Sequence, residues 1–286
     1  MCNAINPFLS NKSYSSNILQ IISQYFSKEK QYCLFLDIDG TLSEFNADPS
    51  QSFIPKTTLQ ILQQLKDLEI PVIAITGRSV KVASQLFSPL QLPIAGTHGL
   101  EIQIDPEEKL NAWIDKNDIS LLQHNVQKAC LSYPQLRVEN KDYSVAIHYR
   151  EYPELAEIAK KIAHDIQRTQ PNFKINNGKY VFELLPAKAD KGQAIQKILD
   201  HYNFPNVFPI FIGDDQTDES GFKIINKYHG VSIKVGEEET QACYRLKNVA
   251  DVAHFLDLFL RFLKTHFPRQ SQVSNSLKYQ KEKKHV

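Results

Sequence analysis

Residues 32–41 of the chain read Tyr-Cys-Leu-Phe-Leu-Asp-Ile-Asp-Gly-Thr, an apolar run followed by two acidic residues and a glycine. The apolar part predicts a buried β-strand, because continuous apolar runs are typical of strands covered on both faces. Asp37 and Asp39 follow this strand, and alternate residues of an extended chain point the same way. The stretch therefore predicts two carboxylates facing one crevice, at the sheet edge where open parallel sheets bind ligands.

Amphipathic helices and short apolar strands alternate on both sides of this stretch. Apolar residues at helical spacing predict helices over residues 18–26, 59–68 and 80–87, and apolar runs predict strands over 70–75 and 93–96. The same alternation returns from residue 190 to residue 263. Strands that alternate with helices in this way indicate an α/β fold with a parallel sheet covered on both faces.

The segment between these two halves has a different pattern. Its strands are shorter and alternate in polarity, and Asp105-Pro106 and Asn176-Asn177-Gly178 predict turns between antiparallel strands. Two amphipathic helices lie among the strands, so we expect an inserted α+β domain. The predicted division is a helical lead-in over residues 1–30, a core over 31–104 and 184–265, the insertion over 105–183, and a basic, disordered tail over 266–286.

Composition excludes several classes of function. The 286 residues are 42% hydrophobic and 23% charged, and their net charge of +1 gives no overall field for binding nucleic acid. No apolar run approaches the roughly 18 residues needed to span a bilayer, and the first residues do not resemble a secretion signal. The four cysteines show no C-x-x-C pair. We expect a cytoplasmic protein with neither a membrane nor a nucleic-acid partner.

A second acidic cluster, Gly-Asp-Asp-Gln-Thr-Asp-Glu at residues 213–219, follows another predicted core strand. Two such clusters at one sheet edge would crowd carboxylates together, and a hard divalent cation relieves their repulsion. Ligation by oxygen alone favours Mg²⁺ over zinc. Thr76-Gly77-Arg78 and Lys191-Gly192 add hydroxyl, backbone N–H and cationic groups suited to phosphate, with Asp190 as a predicted N-cap of the next helix.

This order of motifs resembles the haloacid dehalogenase (HAD) superfamily of phosphatases, with the insertion as its cap domain. Within that superfamily the chain is most similar to the family of trehalose-6-phosphate phosphatases, and the likeness spans about residues 32–260. Ile38 and Thr97 depart from the family pattern, which commonly has an aromatic residue and Asn there. The matching features are the four motifs above and the stretches Gly96–Glu101, Val138–Lys141, His148–Arg150 and Glu183–Pro186.

The resemblance implies a HAD-like core and Mg²⁺-dependent hydrolysis of trehalose 6-phosphate through an aspartyl-phosphate, the last step of trehalose biosynthesis. Asp37 would be the nucleophile and Asp39 the general acid and base, with Thr76 and Lys191 acting on the phosphoryl group. The implied metal ligands are the carboxylates of Asp37 and Asp214 and the main-chain carbonyl of Asp39, with Asp215 and Asp218 orienting ligands or waters.

Substrate recognition is the second implication of the resemblance. Trehalose carries no charge, so hydrogen bonds to its hydroxyls must distinguish it from other sugars. The implied substrate-binding residues are Arg78, His98, Glu139, Lys141, Arg150 and Glu183, and His148 is a weaker candidate. A functional link to a trehalose-6-phosphate synthase is also implied.

Three other functions remain open at this point. One keeps the chemistry and changes the substrate to sucrose phosphate, glucosylglycerol phosphate or mannosylglycerate phosphate. Another is a non-catalytic sugar-phosphate sensor on the same fold, which would be expected to lack Asp37, Asp39, Lys191 or Asp214. A third is association with nucleic acid through the basic tail.

Overall fold

Two β-sheets organise the fold in a computed structural model of the protein, which describes residues 18–20, 22–23, 30–46, 49–110, 115–178 and 180–266. The strands are β1 (Gln31–Leu36), β2 (Val72–Ile75), β3 (Ile94–Gly96), β4 (Glu101–Gln103), β5 (Arg137–Asn140), β6 (Val145–His148), β7 (Phe173–Gly178), β8 (Val181–Pro186), β9 (Val207–Gly213), β10 (Val231–Val235) and β11 (Tyr244–Leu246). The helices are α1 (Lys56–Asp67), α2 (Val80–Phe87), α3 (Lys116–Cys130), α4 (Ala156–Thr169), α5 (Lys191–Tyr202), α6 (Glu219–Lys227) and α7 (Val249–His266).

The larger sheet has seven strands in the order β11-β10-β9-β1-β2-β3-β4. All neighbouring pairs are parallel except β3 and β4. The predicted α/β fold with a parallel sheet is thus confirmed. Leu36 pairs with both Ala74 and Ile212, so β1, β2 and β9 run side by side and end at the same edge.

Strand β1 is apolar and buried after Gln31 because helices cover both faces of this sheet. Leu34 and Leu36 pack in a core cluster with residues of α1, α2 and α7. Cys33 and Phe35 point the other way and pack with residues of α5 and α6. Ile18 and Ile22, from the predicted lead-in, are helical and buried in the first cluster. Residues 1–17, 21 and 24–29 of the lead-in and the tail beyond His266 lie outside the described ranges.

The smaller sheet is antiparallel, in the order β5-β6-β8-β7. One of its faces packs against α3 and α4 through a third apolar cluster that includes Leu122, Ala159, Ile147 and Leu184. Strand β8, which comes last in the chain among the strands of this sheet, ends at Pro186. The sequence analysis predicted that the second core segment begins earlier, at residue 184. We refer to this sheet with its two helices as the cap.

The predicted turn at Asn176-Asn177-Gly178 is wrong. These residues lie in β7, where Asn176 pairs with Glu183, and the chain reverses between Gly178 and Val181. The neighbouring pair Ile175 and Leu184 belongs to the apolar cluster of the cap, so burial of these side chains fixes the register against the local turn preference.

None of the helices within the described ranges is long and apolar enough to cross a membrane. The apolar side chains of helix α7 pack inside the protein. Phe255 and Phe259 of this helix are completely buried.

We expect Phe211→Ala to lower the free energy of unfolding by about 3–5 kcal/mol, the usual result of emptying a buried aromatic site. Phe211 is fully buried, and its ring centroid lies 5.2 Å from that of Phe222. The matched control is Phe53→Ala, because Phe53 is 70% exposed and its removal should change stability by no more than about 0.5 kcal/mol. Urea denaturation measures both; equal losses would contradict this account of the core.

Candidate active site

Three side chains that the sequence places after core strands lie at one edge of the larger sheet. Asp37 follows β1, Thr76 follows β2 and Asp214 follows β9. The loop after β1 lies directly against the second acidic motif. Gly40 has a φ of +80°, and a Cβ atom there would lie 1.9 Å from Oδ2 of Asp214. A glycine is therefore required at this contact, and the two acidic motifs meet.

A buried lysine connects these motifs. Lys191 is the first residue of α5, and its Nζ lies 2.8 Å from Oδ1 of Asp37 and 2.7 Å from Oδ1 of Asp218. All three side chains are at most 5% exposed. Burial alone would lower the pKa of Lys191, but the charges of Asp218 and Asp37 raise it above its usual value, so the amine stays protonated.

The helix that carries this lysine begins as the sequence predicted. The carboxylate of Asp190 accepts a hydrogen bond from the backbone N–H of Gln193 at 2.7 Å, which confirms the N-cap. The cap fixes the first turn of α5, and Lys191 enters the site from that turn.

Asp37, Asp214 and Asp218 each place a carboxylate oxygen within 4.8 Å of the others. Asp218 uses both of its oxygens, since Oδ1 accepts from Lys191 and Oδ2 accepts from the N–H of Asp215 at 2.9 Å. Oδ1 of Asp214 is buried and has no hydrogen-bond partner among the described residues. A donor set of carboxylates with one unpartnered buried oxygen fits a hard cation such as Mg²⁺.

The electrostatics of the site also favour a cation. Burial, followed by the charge of Asp218, raises the pKa of Asp214 to about 7. Burial likewise raises the pKa of Asp37, against the opposing charge of Lys191. A single lysine therefore does not compensate the carboxylates that meet here.

Arg78, which was predicted as a substrate-binding residue, contacts the carboxylate of Asp39. The sequence analysis did not predict this contact. Nε of Arg78 donates to Oδ2 of Asp39 at 2.7 Å, and its Nη2 donates to Oδ1 at 2.6 Å and to the Ser52 hydroxyl at 2.8 Å. A two-pronged contact of this kind fixes the plane of a carboxylate. Nearby, the Thr76 hydroxyl accepts from the N–H of Arg78 at 3.1 Å, so its own proton can point into the site.

Lys234 is a site residue that the sequence analysis missed. It lies in β10 and is 2% exposed, and its Nζ donates to the main-chain carbonyl of Asp214. The same ammonium lies 3.4 Å from Glu238. The sequence feature that could have identified Lys234 is a charged residue inside the mostly apolar strand Val231–Val235. Ser52, the other missed contact, lies in a loop whose sequence carried no signal.

Several candidate substrate residues lie on the face of the cap sheet that α3 and α4 leave uncovered. Oε1 of Glu183 accepts from the Ser144 hydroxyl at 2.6 Å and from Nζ of Lys141 at 2.9 Å. Although burial raises the pKa of Glu183, Lys141 and Ser144 lower it below its usual value. Glu183 is therefore ionised at neutral pH.

One further pair of titratable side chains lies on the cap. Oε2 of Glu139 lies 2.7 Å from Nε2 of His148. Burial lowers the pKa of His148, although Glu139 opposes the shift. Arg150 is exposed two residues beyond the end of β6. The structure therefore groups Glu139 with His148 and Lys141 with Glu183, and Arg150 is in neither pair.

His98 lies between the core site and the cap. A Cβ atom at Gly77 would lie 2.8 Å from its ring, and the charges of both Lys191 and Glu183 act on its pKa. Burial, assisted by Lys191, lowers that pKa to about 4, so the ring is neutral at physiological pH. Its Nδ1 is buried, and no atom in the described part of the chain makes a hydrogen bond to it.

Comparison with known proteins identifies relatives over most of the chain. A sequence model of the trehalose-phosphatase family matches residues 35–250. Trehalose-6-phosphate phosphatase of Escherichia coli K12 is 36% identical over 232 residues, which are 80% of this chain and 86% of that protein. Trehalose-phosphate phosphatase B of Arabidopsis thaliana is 30% identical over 256 residues, 81% of this chain and 67% of that protein.

Solved structures show the same fold. The C-terminal domain of C. albicans trehalose-6-phosphate phosphatase superposes with a TM-score of 0.76 at 21% identity, over 91% of this chain and 99% of that one. The C-terminal domain of the Candida albicans trehalose synthase regulatory protein has a TM-score of 0.66 at 12% identity, over 83% of this chain and 97% of that one. The fold is thus shared by proteins whose names describe different roles.

We expect Asp214→Asn to stabilise the metal-free protein, and more so at higher pH. The folded-state pKa of Asp214, about 7, lies above the unfolded value of about 4, so ionisation opposes folding as pH rises through this window. The gain should be small near pH 4, grow up to about pH 7 and level off above it. Thermal unfolding in EDTA at pH 4, 6 and 8 measures this gain; a gain independent of pH would contradict the assignment.

Proposed function

The chain belongs to the trehalose-phosphatase family, and we propose that it hydrolyses trehalose 6-phosphate to trehalose and phosphate. The observation that carries the proposal is the buried Lys191, which lies between Asp37 and Asp218 beside an unpartnered oxygen of Asp214. This arrangement supports the assignment of Asp37 as the nucleophile, Lys191 as a fixed positive charge and Asp214 as a metal ligand. The division into a core over residues 31–104 and 184–265 and a cap over 105–183 is part of the proposal.

Mg²⁺ is the proposed cofactor, held by the carboxylates of Asp37 and Asp214 and the main-chain carbonyl of Asp39. When bound, it offsets the repulsion between a carboxylate nucleophile and a phosphate dianion. Asp218 holds the N–H of Asp215 and the ammonium of Lys191. Lys234 holds the carbonyl of Asp214, so the loop that carries this proposed metal ligand is fixed from two sides.

Asp37 attacks phosphorus, and the bond from phosphorus to the sugar oxygen breaks as the aspartyl-phosphate forms. Asp39, initially protonated, gives its proton to the departing sugar oxygen. Asp39 then takes a proton from the water that attacks phosphorus, which releases phosphate and restores Asp37. The two hydrogen bonds from Arg78 orient the carboxylate of Asp39 in its ionised form, which is the form that accepts the proton of this water. Lys191 and Thr76 stabilise charge on the transferring group.

The cap residues supply recognition of the sugar. Glu183 is an ionised acceptor, Lys141 is a donor beside it, and neutral His98 offers an unpartnered nitrogen. Glu139 and Arg150 stay proposed contacts on the same domain. Unpaired polar groups in such a site penalise a sugar whose hydroxyls are placed differently.

The alternatives differ in what they require. Sucrose phosphate or glucosylglycerol phosphate would use the same core site and different contacts on the cap. A non-catalytic sensor is compatible with the fold, but Asp37, Asp39, Lys191 and Asp214 are all present, and the side chains of Asp37, Asp214 and Lys191 lie together. We also propose that the protein acts in the cytoplasm and takes its substrate from a trehalose-6-phosphate synthase.

Phosphate release with Mg²⁺ from trehalose 6-phosphate, sucrose 6-phosphate, glucose 6-phosphate and para-nitrophenyl phosphate tests this function. We expect kcat/KM to be at least about a hundredfold higher for trehalose 6-phosphate, about 2.7 kcal/mol of differential transition-state binding. Asp37→Asn should abolish turnover of all four esters, and its melting temperature shows whether the variant is folded at the assay temperature. Similar rates on all four would refute the trehalose assignment but not the phosphatase chemistry.

Glu183→Ala should raise KM for trehalose 6-phosphate at least tenfold and leave the hydrolysis of para-nitrophenyl phosphate nearly unchanged, because only the first substrate has hydroxyls to read. Glu157→Ala is the matched control, since this cap glutamate has a side chain that is 87% exposed. Steady-state kinetics with both substrates measures KM and kcat for Glu183→Ala and for the control. Equal losses on both esters would mean that Glu183 supports the core site instead of the sugar.

A further inference from the structure

The uncovered face of the cap sheet carries one row of directly opposed residues. Strand pairing places Glu139 opposite Ala146, Ala146 opposite Glu183, and Glu183 opposite Asn176. Directly opposed residues share a face, so these four side chains form a line across the sheet. Three strand spacings of about 4.8 Å give the row a length of roughly 14 Å.

This row faces the core site. The alternate residues Phe173 and Ile175 of β7 pack in the apolar cluster with α3 and α4, so Lys174 and Asn176 point the other way. Lys174 donates to the main-chain carbonyl of Ala189, where the chain returns to the core. The charges of Lys174, Lys141 and Glu183 all act on His98. Asn176 therefore lies on the side of the cap that looks toward Asp37.

The chemistry of the row suits an uncharged, hydroxyl-rich ligand. Asn176 is half-buried, and its carboxamide makes no hydrogen bond to the described residues. It offers two N–H donors and a carbonyl acceptor beside the ionised carboxylate of Glu183. Ala146, on the other side of Glu183, has only a methyl group, which is fully buried and offers no hydrogen bond.

Packing does not account for an asparagine at this place. Asn is depleted in β-strands because its side chain competes with the backbone for hydrogen bonds and packs poorly on the pleated surface. The register that holds Asn176 in β7 comes from its apolar neighbours Phe173 and Ile175. The carboxamide adds nothing to that register.

We propose that Asn176 is a specificity-determining residue that hydrogen-bonds hydroxyls of the disaccharide, next to Glu183. This inference rests on the proposed function, since it names a further contact to the sugar of the same substrate. The residue takes no part in the chemical step, so its contribution is confined to the binding of substrates that carry those hydroxyls.

The test compares Asn176→Ala and the nearly isosteric Asn176→Leu with Asn177→Ala. Asn177 is the matched control, because it is exposed and points to the opposite side of the same strand. We expect both Asn176 variants to raise KM for trehalose 6-phosphate about tenfold with little change in kcat, the size of one or two lost hydrogen bonds. Para-nitrophenyl phosphate kinetics and melting temperatures should match the wild type in all three variants.

The outcomes separate this inference from the proposed function. If the wild type hydrolyses trehalose 6-phosphate selectively and both Asn176 variants keep its KM, the inference is overturned and the function stands. If the Asn176 variants lose activity equally on para-nitrophenyl phosphate, the residue supports the fold and the inference is again overturned. If the wild type shows no preference for trehalose 6-phosphate, the proposed function fails first and removes the basis of the inference.

Discussion

The ammonium of Lys191 is shared by two carboxylates, Asp37 and Asp218, in a place that water does not reach. A charge in such surroundings is stable only with its partners, and breaking a buried pair typically costs about 3–5 kcal/mol. The first turn of α5, the end of β1 and the turn after β9 must therefore come together in one arrangement. The rest of the core fits this requirement, since β9 and β1 are adjacent in the sheet and α5 packs beside them.

The contact between Lys191 and its two carboxylates leaves part of the negative charge of the site uncompensated. This excess of negative charge explains why the site favours a cation. One lysine faces several acidic side chains, and the pKa values of Asp37 and Asp214 are raised as a result of burial and crowding. A second positive charge would relieve the crowding, and the proposed Mg²⁺ would supply it. The cap supplies a different surface, with hydrogen-bonding groups on a face that its own helices leave uncovered.

Much of the core could be predicted because its signals are local. The apolar run before Asp37, the acidic motif after β9 and the N-cap Asp190 each lie within a few residues of the structure they specify. Contacts between distant segments could not be predicted in this way. The contact between Arg78 and Asp39 joins residues 39 positions apart, and the bond from Lys234 to Asp214 joins residues 20 positions apart. Neither pairing leaves a pattern in the sequence between its members.

The wrong turn prediction at Asn176-Asn177-Gly178 also results from contacts between distant segments. A local turn preference worth a fraction of a kcal/mol was overridden by the burial of Phe173, Ile175 and Leu184 in the cap. The sequence by itself determined the alternation of strands and helices, the positions of the acidic motifs and the family resemblance, because these depend on neighbouring residues. Only the tertiary structure decided which charges pair and which face of the cap looks toward Asp37, because strand register and the burial of charges depend on segments far apart in the chain.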